Sequence, residues 1–103
     1  MALSAPTINQ VTYDDNPGMY YLEFTGVASG VIYRAYCSAL STVSKATAQK
    51  TKRFTVPAGA VAGSVILGEL PDWPHTYVCM TASDINDANE SAVSNTGDCP
   101  ISR

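Results

Sequence analysis

From Met19 to Thr25 the chain alternates, with Tyr20, Leu22 and Phe24 on one side and Met19, Tyr21, Glu23 and Thr25 on the other. A repeat of two is the signature of a strand with one buried face. Val31 to Ala39 repeats it: Val31, Tyr33, Ala35 and Cys37 face one way, and Ile32, Arg34, Tyr36 and Ser38 the other. Val65 to Leu67 reads as a short buried strand, and Thr76 to Ser83 combines β-branched and aromatic residues with further alternation. Thr7 to Tyr13, Arg53 to Val56 and Ser91 to Asn95 bring the set to about seven. Turn-forming residues separate them: Asp14 to Gly18, Gly26 to Gly30, Pro57 to Gly59, Pro71 to Pro74 and Asp84 to Asn89. No window carries a helical stripe, and Ser41 to Lys52 reads as a polar loop with an edge strand in it. Seven short strands at this spacing predict an antiparallel β-sandwich.

Composition narrows the functions open to such a fold. With 103 residues the chain fits one domain, residues 1–103, around one core. At 46% hydrophobic and a net charge of −3 it is too apolar and too weakly charged to be disordered. That charge also excludes a broadly basic surface for nucleic acid. No apolar run approaches the roughly 20 residues of a membrane helix, so no membrane insertion is expected of these residues. Met1 to Pro6 lacks the basic and apolar segments of a secretory leader, so a secreted parent protein would carry its signals elsewhere.

Several residues resemble the fibronectin type III and related immunoglobulin-like sandwiches. Ala5-Pro6-Thr7-Ile8 resembles the family's Pro-bearing first strand, Tyr20-Leu22-Phe24 its second, with Phe24 in place of the usual Trp, and Tyr33-Arg34-Ala35-Tyr36 its tyrosine-rich third. Val65-Ile66-Leu67-Gly68-Glu69-Leu70-Pro71, followed by Thr76-Tyr77-Val78-Cys79-Met80-Thr81-Ala82, is similar to the family's fifth strand, tyrosine corner and sixth strand. The resemblance implies a seven-stranded fibronectin type III-like sandwich with Tyr77 and Leu70 at the corner, the Tyr77 hydroxyl buried against upstream backbone. The step from Leu70 to Tyr77 is one residue longer than the common pattern. No Arg-Gly-Asp occurs, so integrin binding does not carry over.

The chain has three cysteines. None are spaced C-x-x-C, which argues against zinc or redox use. Cys37 and Cys79 resemble a pair bridging the third and sixth strands in a subset of such modules. If Tyr77 points inward, Cys79 does too, and a hairpin folding at Asn89 would instead set Cys79 opposite Cys99. The resemblance favours Cys37 with Cys79, and Cys99 stays open as the alternative partner.

Other candidates are weaker. His75 is the single histidine, in a Pro-flanked loop with no nucleophile motif near it, so no catalytic residues are assigned and the chain reads as a non-enzyme. Asp84, Asn86 and Asp87 lie in an oxygen-rich loop that offers a weak calcium candidate; otherwise no metal or cofactor is expected. Asn89-Glu90-Ser91 is an N-glycosylation triplet. Trp73 is a candidate glycan contact, or a cap on the core. Lys45, Lys50, Lys52 and Arg53 gather four of the six basic residues, and six of nine acids lie from Glu69 onward, so a basic edge and an acidic end are expected. The reading is a non-catalytic structural or adhesive module of a larger extracellular or surface protein, contacting protein or glycan, or neighbouring domains of its own chain, through its loops. The alternative is a carbohydrate-binding or accessory module of a secreted enzyme.

Overall fold

The computed structural model describes residues 3–14, 18–27, 30–56, 63–68, 73 and 75–100. Among them seven strands form: β1 (Thr7–Asp14), β2 (Met19–Thr25), β3 (Ile32–Ser38), β4 (Lys50–Thr55), β5 (Gly63–Gly68), β6 (His75–Ser83) and β7 (Gly97–Pro100). A three-stranded sheet has the order β1-β2-β5, a four-stranded sheet the order β4-β3-β6-β7, and all pairings are antiparallel. No described residue lies in a helix. The expected all-β, sandwich-like arrangement is therefore present.

The core lies between the sheets. Tyr20, Leu22 and Phe24 from β2 meet Tyr33, Ala35 and Cys37 from β3 and Val78, Met80 and Ala82 from β6, with Ile8, Val11, Leu67 and Cys99 closing the sides. Phe24 packs against Tyr33 and Phe54 at ring-centroid distances of 5.2 and 5.5 Å. Each fully buried aromatic side chain contributes roughly 1.5–3 kcal/mol. The inward faces of β2 and β3 are those that alternation predicts. In β6 the even-numbered residues point inward, so Tyr77 and Cys79 point out.

Two elements differ from the sequence-based expectation. β4 begins at Lys50 rather than Arg53. The strand expected at Ser91 to Asn95 is not one; β7 runs from Gly97 to Pro100. The 91–95 segment nonetheless lies along β6, with serine side chains in place of ladder carbonyls. Ser91 donates its N–H to the Ala82 carbonyl (2.8 Å) and accepts the Ala82 N–H on its hydroxyl (3.0 Å). Ser94 does the same with Met80, at 2.8 and 2.9 Å. Asn95 clamps β1, its side chain accepting the Ile8 N–H at 2.8 Å and donating to the Ile8 carbonyl at 3.0 Å beside a register shift in that strand.

Candidate functional site

Polar side chains concentrate on the outer face of the four-stranded sheet, where β3 and β6 are buried a second time. The 39–49 loop lays Val43 and Ala48 against Tyr36, Cys79 and Tyr77. From the 84–90 loop, Asp87 and Glu90 reach over the same face. Outward-facing Cys79, Thr81 and Ser83 are small enough for backbone to approach, and each is fully buried.

Glu90 ties these layers together. Its Oε2 accepts the Tyr36 hydroxyl at 2.8 Å and the Thr81 hydroxyl at 2.6 Å, while Oε1 accepts Lys45 Nζ at 3.1 Å. Burial pushes the Glu90 carboxyl up, but the Thr81 and Tyr36 hydroxyls and the Lys45 ammonium outweigh it and hold the group below its ordinary value. Burial, with the bond to Glu90 behind it, pushes the Tyr36 phenol up to about 12. Gln49 fastens the far end of the 39–49 loop by accepting the Ser38 hydroxyl and the Ala39 N–H at 2.8 and 2.9 Å.

Asp87 resolves a charge conflict on the same face. Arg34 and Arg53 are paired directly across β3 and β4, an unfavourable arrangement for like charges. The Asp87 carboxylate lies 2.7 Å from Arg34 and 3.6 Å from Arg53. The hydrogen bond that Arg34 donates to Asp87, against a smaller opposing effect of burial, raises the Arg34 pKa. The basic edge and acidic end expected from the sequence are therefore brought together in part: Asp87 pairs with Arg34 and Arg53, and Glu90 with Lys45.

The cysteines require a correction. All three thiols are free and buried, and strand parity rules out both expected pairings. Cys37 lies opposite Val78 and faces the inter-sheet core, whereas Cys79 lies opposite Tyr36 and faces outward beneath Val43, whose carbonyl accepts its thiol at 3.6 Å. Cys99 lies opposite Thr76, not Cys79. The register slips because Ser91, Ser94 and Gly97 neighbour Ala82, Met80 and Val78, three residues of the return segment for every two of β6. The thiols serve as small buried apolar groups. Burial pushes Cys37 up to about 12 and raises Cys79 and Cys99 as well. Mass spectrometry after alkylation in denaturant without reductant is expected to count three thiols, and alkylation of the folded protein is expected to be slow; a count of one would restore a disulfide.

Tyr77 is likewise not the buried corner residue. It faces outward, half-buried, its ring stacked on His75 at 4.4 Å and 3°. Leu70 lies outside the described residues. The corner's role of fixing a buried phenol to upstream backbone belongs instead to Tyr33, which is fully buried and accepts the Val27 N–H at 3.0 Å. A second buried phenol links the sheets: Tyr20 accepts the Thr76 hydroxyl at 3.2 Å.

The remaining candidates are engaged structurally. His75 bonds Asp98 through Nε2 at 2.9 Å, and its other ring nitrogen bonds no described residue. Trp73 is half-buried and packs on the core, as a cap does. The calcium candidate does not assemble. Asp84 accepts the N–H groups of Asn86 and Ala88 at 2.9 and 3.0 Å and the Asn89 amide at 2.6 Å, while Asp87 faces two guanidinium groups. The Ala88 and Asn89 donors, outweighing a slight effect of burial, lower the Asp84 pKa. These bonds shape a turn in which Asp87 and Asn89 hold positive φ of 59° and 57°. In the Asn89-Glu90-Ser91 triplet, Asn89 is exposed but its amide holds Asp84, and Ser91 is buried with its hydroxyl bonded.

Glu90 was missed as an organising residue. The available signal was the row of hydroxyl groups at outward positions of β3 and β6, Tyr36, Ser38, Thr81 and Ser83, donors for which neither strand supplies a carboxylate. No protein family, curated protein or solved structure matches this chain.

Proposed function

We propose that this domain is a fibronectin type III-like sandwich serving as a non-catalytic structural and adhesive module of a larger surface or secreted protein. It holds the segments on either side of it apart and presents loops to a protein partner. The observation that carries this reading is where the chain enters and leaves the fold. Leu3 donates its N–H to the Asn89 carbonyl at 2.9 Å, beyond the C-terminal end of β6, whereas Pro100 pairs with His75 at the N-terminal end. The nine residues of β6 separate these poles by about 27 Å. Neighbours joined at the two ends would be strung along the long axis.

The strand order, β1-β2-β5 against β4-β3-β6-β7, supports this reading, since it sets the third, sixth and seventh strands side by side in one sheet. Each pole also carries an exposed apolar loop residue, Ile85 (75% exposed) just past β6 and Leu40 (61%) just past β3. With the thiols free, placement outside the cell rests on the resemblance carried by the sequence and not on cysteine chemistry.

A glycan array probed with the domain and its Trp73→Ala variant separates this reading from a carbohydrate-binding module. No saturable binding is expected. Saturable binding abolished by Trp73→Ala would replace the spacer reading.

A further inference from the structure

The pairing of charge within the fold stops at one edge. Of the five described basic residues, Arg34, Lys45 and Arg53 are ion-paired, while the side chains of Lys50 and Lys52 make no hydrogen bond or ion pair with a described residue. Both stand on β4, the outermost strand of its sheet. They share a side with Phe54, yet where Phe54 reaches the core they stay exposed.

The backbone of β4 is open on its outer side. Val56 donates its N–H to the Val31 carbonyl at 2.9 Å, and the antiparallel register alternates from there. Phe54, Lys52 and Lys50 therefore direct their N–H and C=O groups at β3, and Thr55, Arg53 and Thr51 direct theirs outward. Among the described residues no other element takes up these outward groups. Of the other outer strands, β5 is as long but carries no basic side chain, and β7 and β1 are poorer templates. β7 has four residues and ends in Pro100, while β1 is irregular near Ile8 and clamped there by Asn95.

We propose that the β4 edge is a docking site for an extended acidic segment of another protein, added to the sheet as a fifth strand. Thr51, Arg53 and Thr55 supply its main-chain bonds. Lys50 and Lys52, two residues apart on one side, select carboxylates at alternate positions of the incoming strand. A second copy of β4 is the wrong occupant, because it would bring two sets of Lys50, Lys52 and Arg53 together. Lysines on an exposed edge deter such self-pairing, and the same charge admits an acidic strand. The proposal rests on the module reading for its protein partner and gives that partner a chemistry and a place outside the loops.

The test is amide hydrogen exchange, read by NMR on the folded domain titrated with a capped nonapeptide alternating Glu and Thr. Two control peptides accompany it: one of equal charge with a central Pro, and one alternating Lys and Thr. The Glu-Thr peptide is expected to slow exchange at Thr51, Arg53 and Thr55 by about tenfold at saturation, with the Pro peptide doing far less. Lys50→Glu with Lys52→Glu is expected to weaken that peptide by about tenfold and to admit the Lys-Thr peptide. Both positions are exposed, and unchanged chemical-shift dispersion verifies that the variant folds. No slowing at the three amides, or equal slowing by the Pro peptide, would overturn the proposal. Either result would leave the module reading intact, since that reading is tested by glycan binding and by the geometry of the chain ends.

Discussion

Replacing Glu90 with Ala is expected to destabilise the domain by about 2–4 kcal/mol, measured by urea unfolding. The substitution removes two hydroxyl-to-carboxylate bonds, and Thr81, fully buried, is left holding a hydroxyl without its acceptor. The bond to Lys45 adds little, because that pair is partly exposed and an exposed ion pair is worth about 0–1 kcal/mol. Glu90→Gln keeps one oxygen acceptor and is expected to cost less than half as much. The charge itself shows in the pH dependence. The folded-state pKa of Glu90 lies below the ordinary 4.5, so the unfolded chain takes up the proton first as pH falls. Its stabilising contribution is complete above that ordinary value and is lost as pH drops through the lower folded-state value. Asp84 acts with the same sign, so the informative quantity is the difference between wild type and Glu90→Gln. Between about pH 6 and 3 the wild type is expected to lose more stability than the variant; parallel curves would show that the ionised carboxylate does not hold the face together.

Tyr33→Ala is expected to cost about 3–5 kcal/mol, more than Glu90→Ala. Its ring is fully buried, 5.2 Å from Phe24 and 5.9 Å from Phe54, and its hydroxyl accepts the Val27 N–H. Removal opens a cavity where both sheets contribute aromatic rings. Tyr33→Phe isolates the hydroxyl and is expected to cost about 1–2 kcal/mol. Tyr77→Phe is expected to cost close to nothing, since no described group bonds that hydroxyl. A Phe series with the order reversed, Tyr77 dear and Tyr33 neutral, would place the buried phenol back on β6.

That contrast shows how much was legible in the sequence. β2 and β3 declared their inward faces because the opposite side of each alternation carries a charged residue, Glu23 in one and Arg34 in the other. β6 did not: Thr76 and Val78 to Ser83 are all buried, so hydrophobicity alternates too weakly to say which parity faces the core. Reading Tyr77 as inward carried Cys79 with it, and both disulfide expectations followed from that one shift of parity. The second burial of β3 and β6 arises from loops, and loop placement depends on contacts between residues distant in the chain, such as Lys45 with Glu90. β7 was displaced for a related reason. Ser91 and Ser94 bond β6 through side chains as well as backbone, a pairing without a period-two signal. Charge taken as segregated along the chain proved to be folded together at Arg34, Arg53 and Asp87, and only Lys50 and Lys52 kept the significance first given to the whole basic run.

The spacing role depends on the chain entering at one pole and leaving at the other. Small-angle scattering from two copies joined end to end, residue 100 of one to residue 3 of the next through a short linker, measures this directly. One copy is 42 Å along its longest axis. The maximum dimension of the joined pair is expected to be roughly twice that of one copy, and a pair little longer than a single copy, folded side by side, would contradict the module reading.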